Sequence, residues 1–75
     1  MQAKMTANKR LLVSAVKAHA ELNYESDGWD IVVECYSESD ILEIIGESYT
    51  PRGAIAKVRK YLAPIASYRD EIIAA

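Results

Sequence analysis

The segment from Thr50 to Ile73 constrains the fold most strongly, because it carries the longest helical pattern in the chain. Apart from a gap at Arg69, apolar side chains recur in it every three or four positions, which places them on one face of a helix. These side chains are Ile55, Val58, Leu62, Ile65 and Ile72. Thr50 can accept a hydrogen bond from the first-turn amides, and Pro51 follows where a missing N–H costs nothing. The sequence predicts a helix over residues 50–74.

Pro64 interrupts this pattern, although the apolar spacing continues from Leu62 to Ile65. A proline inside a helix removes one backbone hydrogen bond and crowds the preceding turn. The sequence therefore predicts either one long helix that is kinked at Pro64 or two helices that lie nearly in line.

A second helix is predicted over residues 6–22, after a loose tail formed by residues 1–5. Thr6 or Asn8 can supply its N-terminal cap. Its alanines and straight-chain residues favour a helix intrinsically. The stripe expected to face the core is Leu12, Ala15, Val16, His19 and Leu22.

A short helix is predicted over residues 39–46, starting at Ser37 or Ser39. Gly46 suits its C-terminal end, where the backbone often adopts a positive φ. Apolar side chains occupy most of its positions, so we expect it at the centre of the core. They are Ile41, Leu42, Ile44 and Ile45.

Residues 29–36 fit two interpretations. At helical spacing one face is apolar, formed by Trp29, Val32, Val33 and Tyr36, and Asp27 can cap the helix. The same residues are also rich in β-branched and aromatic types, and Asp27 followed by Gly28 is typical of a hairpin turn. The nearest strand partner would be the short charged segment 21–25, so the helix is preferred and the strand is the alternative.

These patterns predict an all-α fold, a small bundle of four to five helices in a single domain over residues 1–75, with the long C-terminal helix kinked at Pro64. The alternative is a small α+β domain with residues 29–36 as a strand. The predicted core consists of Leu12, Val16, Leu22, Trp29, Val33, Ile41, Leu42, Ile45, Ile55, Val58, Leu62 and Ile65.

The residue types that carry chemistry are scarce. Cys35 and His19 are the only cysteine and histidine, which excludes an intrachain disulfide and leaves too few soft ligands for a metal site. Cys–His catalysis needs both groups within hydrogen-bond reach and a third group to orient the base, and nothing in the spacing indicates this. We expect no enzyme activity, no catalytic residues, no metal and no cofactor.

Size and composition also bear on assembly and location. A core this small is usually supported by disulfides, a metal or a partner subunit. With no disulfide and no metal expected, good helix packing or oligomerisation remains, and we expect a homodimer. No apolar run approaches the roughly 20 residues needed to cross a bilayer, and no signal peptide pattern is visible. A lone cysteine favours a reducing cytoplasm. The length would suit a bacterial or phage accessory protein.

The net charge of −2 conceals a sorted distribution of charge. Residues 21–47 contain nine of the 11 acidic residues and no lysine or arginine, whereas residues 1–20 and 52–60 are basic. Charge blocks of this kind favour association with oppositely charged surfaces. The candidate acidic partner surface consists of Asp30, Glu34, Glu38, Glu43 and Glu47.

The order of short helix, turn and basic helix over residues 39–62 resembles a helix-turn-helix motif. Gly46 in the turn and the cap at Thr50 fit this motif, whereas the long turn and the acidic net charge do not. The candidate nucleic-acid contacts are Arg52, Lys57, Arg59 and Lys60. Arg52 would be placed to read base edges and the others to contact phosphates.

A candidate dimer seam runs along the last helix, where tyrosines alternate with aliphatic residues. Tyrosine is favoured at interfaces because it combines a large apolar ring with a polar tip. The seam would consist of Tyr61, Ile65, Tyr68 and Ile72. The leading functional hypothesis is a non-enzymatic, dimeric module that binds an unknown protein through charged helical surfaces, and the alternative is a DNA-binding regulator.

Overall fold

The structure, a computed structural model, describes residues 6–74, with side chains described for residues 6–66. Within these residues the chain forms four helices and no β-strand: α1 (Ala7–Leu22), α2 (Trp29–Cys35), α3 (Glu38–Ile45) and α4 (Pro51–Ala74). The prediction of an all-α fold is therefore confirmed. The tail predicted for residues 1–5 lies outside the described residues.

The alternative of a strand over residues 29–36 is wrong, because most of this segment is the helix α2. Trp29 and Val32, three positions apart, are both buried, and one helical face satisfies both at once. The dipeptide that suggested a hairpin turn instead connects two helices. Asp27 and Gly28 both adopt a positive φ, of 53° and 82°, which reverses the chain directly before α2.

Local side-chain chemistry sets the start of three helices. The Thr6 hydroxyl accepts a hydrogen bond from Lys9 N at 3.2 Å, and the Thr50 hydroxyl accepts one from Gly53 N at 3.0 Å. Each bond satisfies one amide that the helix itself leaves unpaired. Of the two serines proposed to start α3, Ser37 is its cap.

Ser37 and Asp40 form a reciprocal capping box. Asp40 N donates to the Ser37 hydroxyl at 3.2 Å, and Ser37 N donates to Asp40 Oδ2 at 2.8 Å. Asp40 thus takes the position that glutamate occupies in the common form of the capping box. At the other end of α3, Gly46 has a φ of 53° and its N–H donates to Leu42 O at 3.1 Å, as the sequence predicts for a C-terminal cap.

Helices α1 and α4 lie side by side and run in the same direction. Near the start of both, the Lys9 ammonium donates to Ser48 O at 3.1 Å. Further along both, Arg59 Nη2 lies 3.4 Å from His19 Nε2. The two residues of each pair are separated by nearly the same number of positions, 39 and 40. A constant separation means that α1 and α4 run parallel to each other.

Helices α2 and α3 return the chain from the end of α1 to the start of α4. At the beginning of this return, a Cβ atom added to Gly28 would lie 3.3 Å from the Cβ of Ala66, so α2 starts close against the far part of α4. At its end, the carbonyl of Gly46 accepts a hydrogen bond from Lys9 at the start of α1. A bend at Tyr36 and Ser37 divides the return into two helices.

The core lies where α1 packs against the other three helices and α3 packs against α4. Its buried side chains are Leu12, Val13, Val16, Ala20, Trp29, Val32, Ile41, Ile45, Ala54, Val58 and Leu62. Seven of the predicted core residues are among them. The prediction missed Val13, Ala20, Val32 and Ala54.

Five residues predicted for the core are not fully buried. Leu22 is 86% exposed, Val33 and Ile65 are each 39% exposed, and Leu42 and Ile55 are half-buried at the edge of the core. The cause is the rotation of each helix about its axis. On α1 the buried line runs through Leu12, Val16 and Ala20, which turns Leu22 outward.

Helix α4 runs through Pro64 as a single helix, and the predicted kink at this residue stays a prediction. The buried line on α4 is Ala54, Val58 and Leu62, at intervals of four residues. This line faces α1 and α3. At about 1.5 Å per residue α4 is about 36 Å long, which accounts for most of the 43 Å long axis of the molecule.

Candidate functional site

A groove of about 560 Å³ lies between the α2–α3 bend and α4. We call it the acidic groove. It is lined by Cys35, Tyr36, Asp40, Glu43, Ile44 and Tyr61. The bend creates it, because Tyr36 ends α2 in an extended conformation (φ −95°, ψ 131°) and Ser37 starts α3.

Two tyrosines form the aromatic wall of the acidic groove. The rings of Tyr36 and Tyr61 meet edge to face, with centroids 6.4 Å apart and an interplanar angle of 70°. This is a favourable geometry for aromatic pairs. Tyr61 is 52% exposed, so much of its surface remains open to a ligand. Burial, followed by the nearby Tyr61 and Asp40, raises the pKa of the Tyr36 phenol above its ordinary value.

Two carboxylates on α3 form the polar rim of the acidic groove. Asp40 Oδ2 accepts the hydrogen bond from Ser37 N, which fixes this side chain within the capping box. Glu43 is exposed and, among the described residues, forms no hydrogen bond or ion pair. In the described part of the chain no lysine or arginine lines the groove, so its negative charge is not neutralised from within.

The predicted acidic surface is distributed over α2, α3 and the turn after α3. Of its five members, Glu43 alone lines the groove. Glu34, Glu38 and Glu47 are exposed elsewhere, while Asp30 is half-buried in the first turn of α2. Asp40, the second groove carboxylate, was absent from the prediction. Its position three residues before Glu43 on one helix could have indicated that the two share a side.

The four predicted nucleic-acid contacts are all exposed on α4, and two of them lie close to other elements. The Lys57 ammonium lies 3.6 Å from where a Cβ of Gly46 would be, at the carboxyl end of α3, where a cation is favourable. Arg59 points toward His19 on α1. Arg52 and Lys60 are exposed and, among the residues the structure describes, have no hydrogen-bond or ion-pair partner.

The predicted dimer seam is described only in part. Tyr61 and Ile65 are both exposed and lie one turn apart on α4. The side chains of Tyr68 and Ile72 lie outside the described residues. The seam therefore stays a prediction.

The two residues considered for nucleophilic chemistry have different neighbours. The His19 ring meets Trp29 edge-on, with centroids 4.7 Å apart, and contacts Arg59. Cys35 is a free, exposed thiol on the wall of the acidic groove. Among the described residues, histidine, cysteine and carboxylate side chains form no group that could hold a metal ion.

No helix in the described part of the chain has both the length and the apolar character needed to span a bilayer. Comparison of the sequence and structure with models of known protein families, with characterised proteins and with solved structures gives no significant match. The function must therefore be argued from the surface of this molecule.

Proposed function

We propose that the protein is a non-enzymatic interaction module that binds a protein partner at the acidic groove. The observation that carries this proposal is the joint placement of an exposed aromatic pair and two carboxylates around one concave surface. Tyrosine supplies apolar area together with a hydroxyl, and charge at the rim of an interface speeds and selects encounters. The groove combines both properties.

The proposal extends to assembly and setting. A homodimer formed along Tyr61, Ile65, Tyr68 and Ile72 would cover Ile65 and one side of Tyr61, and it would leave the side of Tyr61 that lines the acidic groove open to the partner. A kink of α4 at Pro64 would shape this seam. The setting we propose is the cytoplasm of a bacterium or of a phage-infected cell, where a small accessory protein would regulate a larger partner.

Site-specific photo-cross-linking tests the main proposal. A photoreactive amino acid placed at Cys35, on the wall of the acidic groove, should cross-link a discrete protein in the cells that make this chain. The same amino acid at Lys17, exposed on α1, serves as the matched control. The cross-link from position 35 should disappear when Tyr61→Ala is added. Equal cross-linking from both positions would contradict a partner site at the groove.

A DNA-binding regulator is the second candidate. It is supported by Arg52 and Lys60 on α4, which are exposed and have no hydrogen-bond or ion-pair partner among the described residues, and by the contacts through which Lys9 holds the turn between α3 and α4. DNA binding of this kind releases counterions and weakens steeply with salt.

Fluorescence polarisation separates the two candidates. A labelled random duplex should show salt-sensitive binding if the regulator hypothesis holds, and the Lys57→Glu, Lys60→Glu double variant should abolish it. Lys17→Glu is the matched charge control on α1. If the protein-binding proposal holds, no binding should occur even at low salt. The mass of the protein in solution, measured on the same sample, tests the homodimer.

A further inference from the structure

We infer that the acidic groove binds a short basic peptide segment, in which a lysine or arginine lies next to an apolar residue. This inference rests on the proposed function and names the chemistry of the partner. The cationic head would lie between Asp40 and Glu43, with its stem against Tyr61. The apolar neighbour would pack on Ile44.

Unsatisfied negative charge indicates a cationic ligand. Asp40 uses Oδ2 in the capping box, and its other carboxylate oxygen makes no hydrogen bond with the described residues. A carboxylate accepts several hydrogen bonds, and neither oxygen of Glu43 makes one with the described residues. A lysine or arginine, which only donates, matches this arrangement.

The aromatic wall favours a long cationic side chain over a small cation. Arginine and lysine carry an aliphatic stem that packs on apolar surface, while the charge interacts with the face of a tyrosine ring. In the edge-to-face pair of Tyr36 and Tyr61, the edge of one ring meets the face of the other. This contact covers only part of the aromatic surface, and the rest can contact a ligand. The open surface of Tyr61 lies beside the carboxylates of the same groove.

The size and charge of the groove argue for a peptide rather than a second copy of this chain. A volume of about 560 Å³ falls in the range of about 300–1,000 Å³ that suits a small ligand or a few side chains. A two-fold dimer places the same patch on both subunits, so pairing through the groove would bring Asp40 and Glu43 near their own copies. Like charges at such an interface oppose association.

A displayed peptide library tests the inference. Random peptides are selected against the full-length protein, and the best are measured by fluorescence polarisation. We expect selected sequences to be enriched in lysine or arginine beside leucine, isoleucine or an aromatic residue. Their affinity should fall by about tenfold or more in the Asp40→Asn, Glu43→Gln double variant, in which charge is lost and shape is kept.

Matched variants locate the binding. Glu38→Gln removes an exposed acid that is outside the groove and should leave the affinity unchanged. Tyr61→Phe should retain binding, while Tyr61→Ala should lose it. Circular dichroism and urea midpoints confirm that each variant folds.

Three outcomes would overturn the inference. Peptides without basic residues that still lose affinity in Tyr61→Ala would leave the groove as a partner site but refute the basic ligand. Basic peptides whose affinity is unchanged by the groove variants would place binding elsewhere, and the cross-link from position 35 would then decide the proposed function separately. A dimer that Tyr61→Ala dissociates and that blocks peptide binding would identify a second copy as the occupant.

Discussion

His19 and Arg59 lie 40 positions apart in the sequence, yet His19 Nε2 and Arg59 Nη2 are 3.4 Å apart across the interface between α1 and α4. Arginine has donors only, so Nε2 is the acceptor in a hydrogen bond between the two side chains. The same ring lies edge-on to Trp29, with centroids 4.7 Å apart. One side chain thus joins three helices.

The ring contact between His19 and Trp29 should be visible in the fluorescence of Trp29. The His19 ring lies edge-on to the buried indole. We expect His19→Ala to shift the tryptophan emission, because this variant removes the ring contact and opens the indole to water. The chain has one tryptophan, so the assignment is direct. Lys17→Ala, at an exposed position on α1, is the control, and an emission spectrum that is unchanged in His19→Ala would refute the prediction.

The raised pKa of Tyr36 makes the fold sensitive to alkali. In the unfolded chain this phenol ionises near its ordinary pKa of 10.0, whereas in the folded protein burial, then Tyr61 and Asp40, keep it protonated to higher pH. As the pH rises above the pKa of the unfolded chain, the unfolded state binds fewer protons than the folded state. The free energy of unfolding therefore falls until the folded-state phenol has ionised as well. Urea denaturation at several alkaline pH values should show this fall, reduced in Tyr36→Phe. Tyr49→Phe, at an exposed position, should leave the alkaline fall in the free energy of unfolding unchanged.

Two leucines that the sequence assigns equally to the core should differ sharply in their contribution to stability. Leu62 is fully buried, so Leu62→Ala should lower the free energy of unfolding by about 2–5 kcal/mol through lost burial and a cavity. Leu22 is 86% exposed, so Leu22→Ala should change it by less than about 0.5 kcal/mol. Urea denaturation of both variants checks this. Equal losses would mean that Leu22 is buried in solution.

Two neighbouring serines offer a similar comparison at the start of α3. Ser37→Ala should cost about 0.5–2 kcal/mol, because the Asp40 amide loses its partner. Ser39→Ala should be neutral or slightly stabilising, since this exposed position lies inside the helix, where alanine is favoured. Thermal or urea unfolding measures both. A larger loss for Ser39→Ala would indicate that the helix starts later than Ser37.

Helix positions were predictable because short-range chemistry determines them. Thr6, Thr50 and Gly46 act within one turn of their helix ends, and each takes the role that its type and place in the sequence indicate. Which side of a helix is buried depends on the helices that pack against it. Leu22 continues an apolar spacing, yet α1 turns it outward because the other helices meet the side that carries Val13 and Ala20.

The acidic groove could be predicted only in fragments. Glu43 and Tyr61 were singled out, but for separate surfaces, because nothing local brings α3 and α4 together. The groove exists because the chain bends after Tyr36 and because α4 lies beside the bend. Asp40 was missed for a related reason: its capping role depends on whether Ser37 or Ser39 starts the helix, and the sequence fits both.

The parallel course of α1 and α4 has a consequence for the order of events during synthesis. The contacts that join these helices connect residues about 40 positions apart, so α1 emerges from the ribosome long before the surface that covers it. Contacts this distant in the sequence slow folding, because the intervening chain must be ordered first. The core around Leu12 and Val16 can therefore be completed only after Ala54, Val58 and Leu62 have been made.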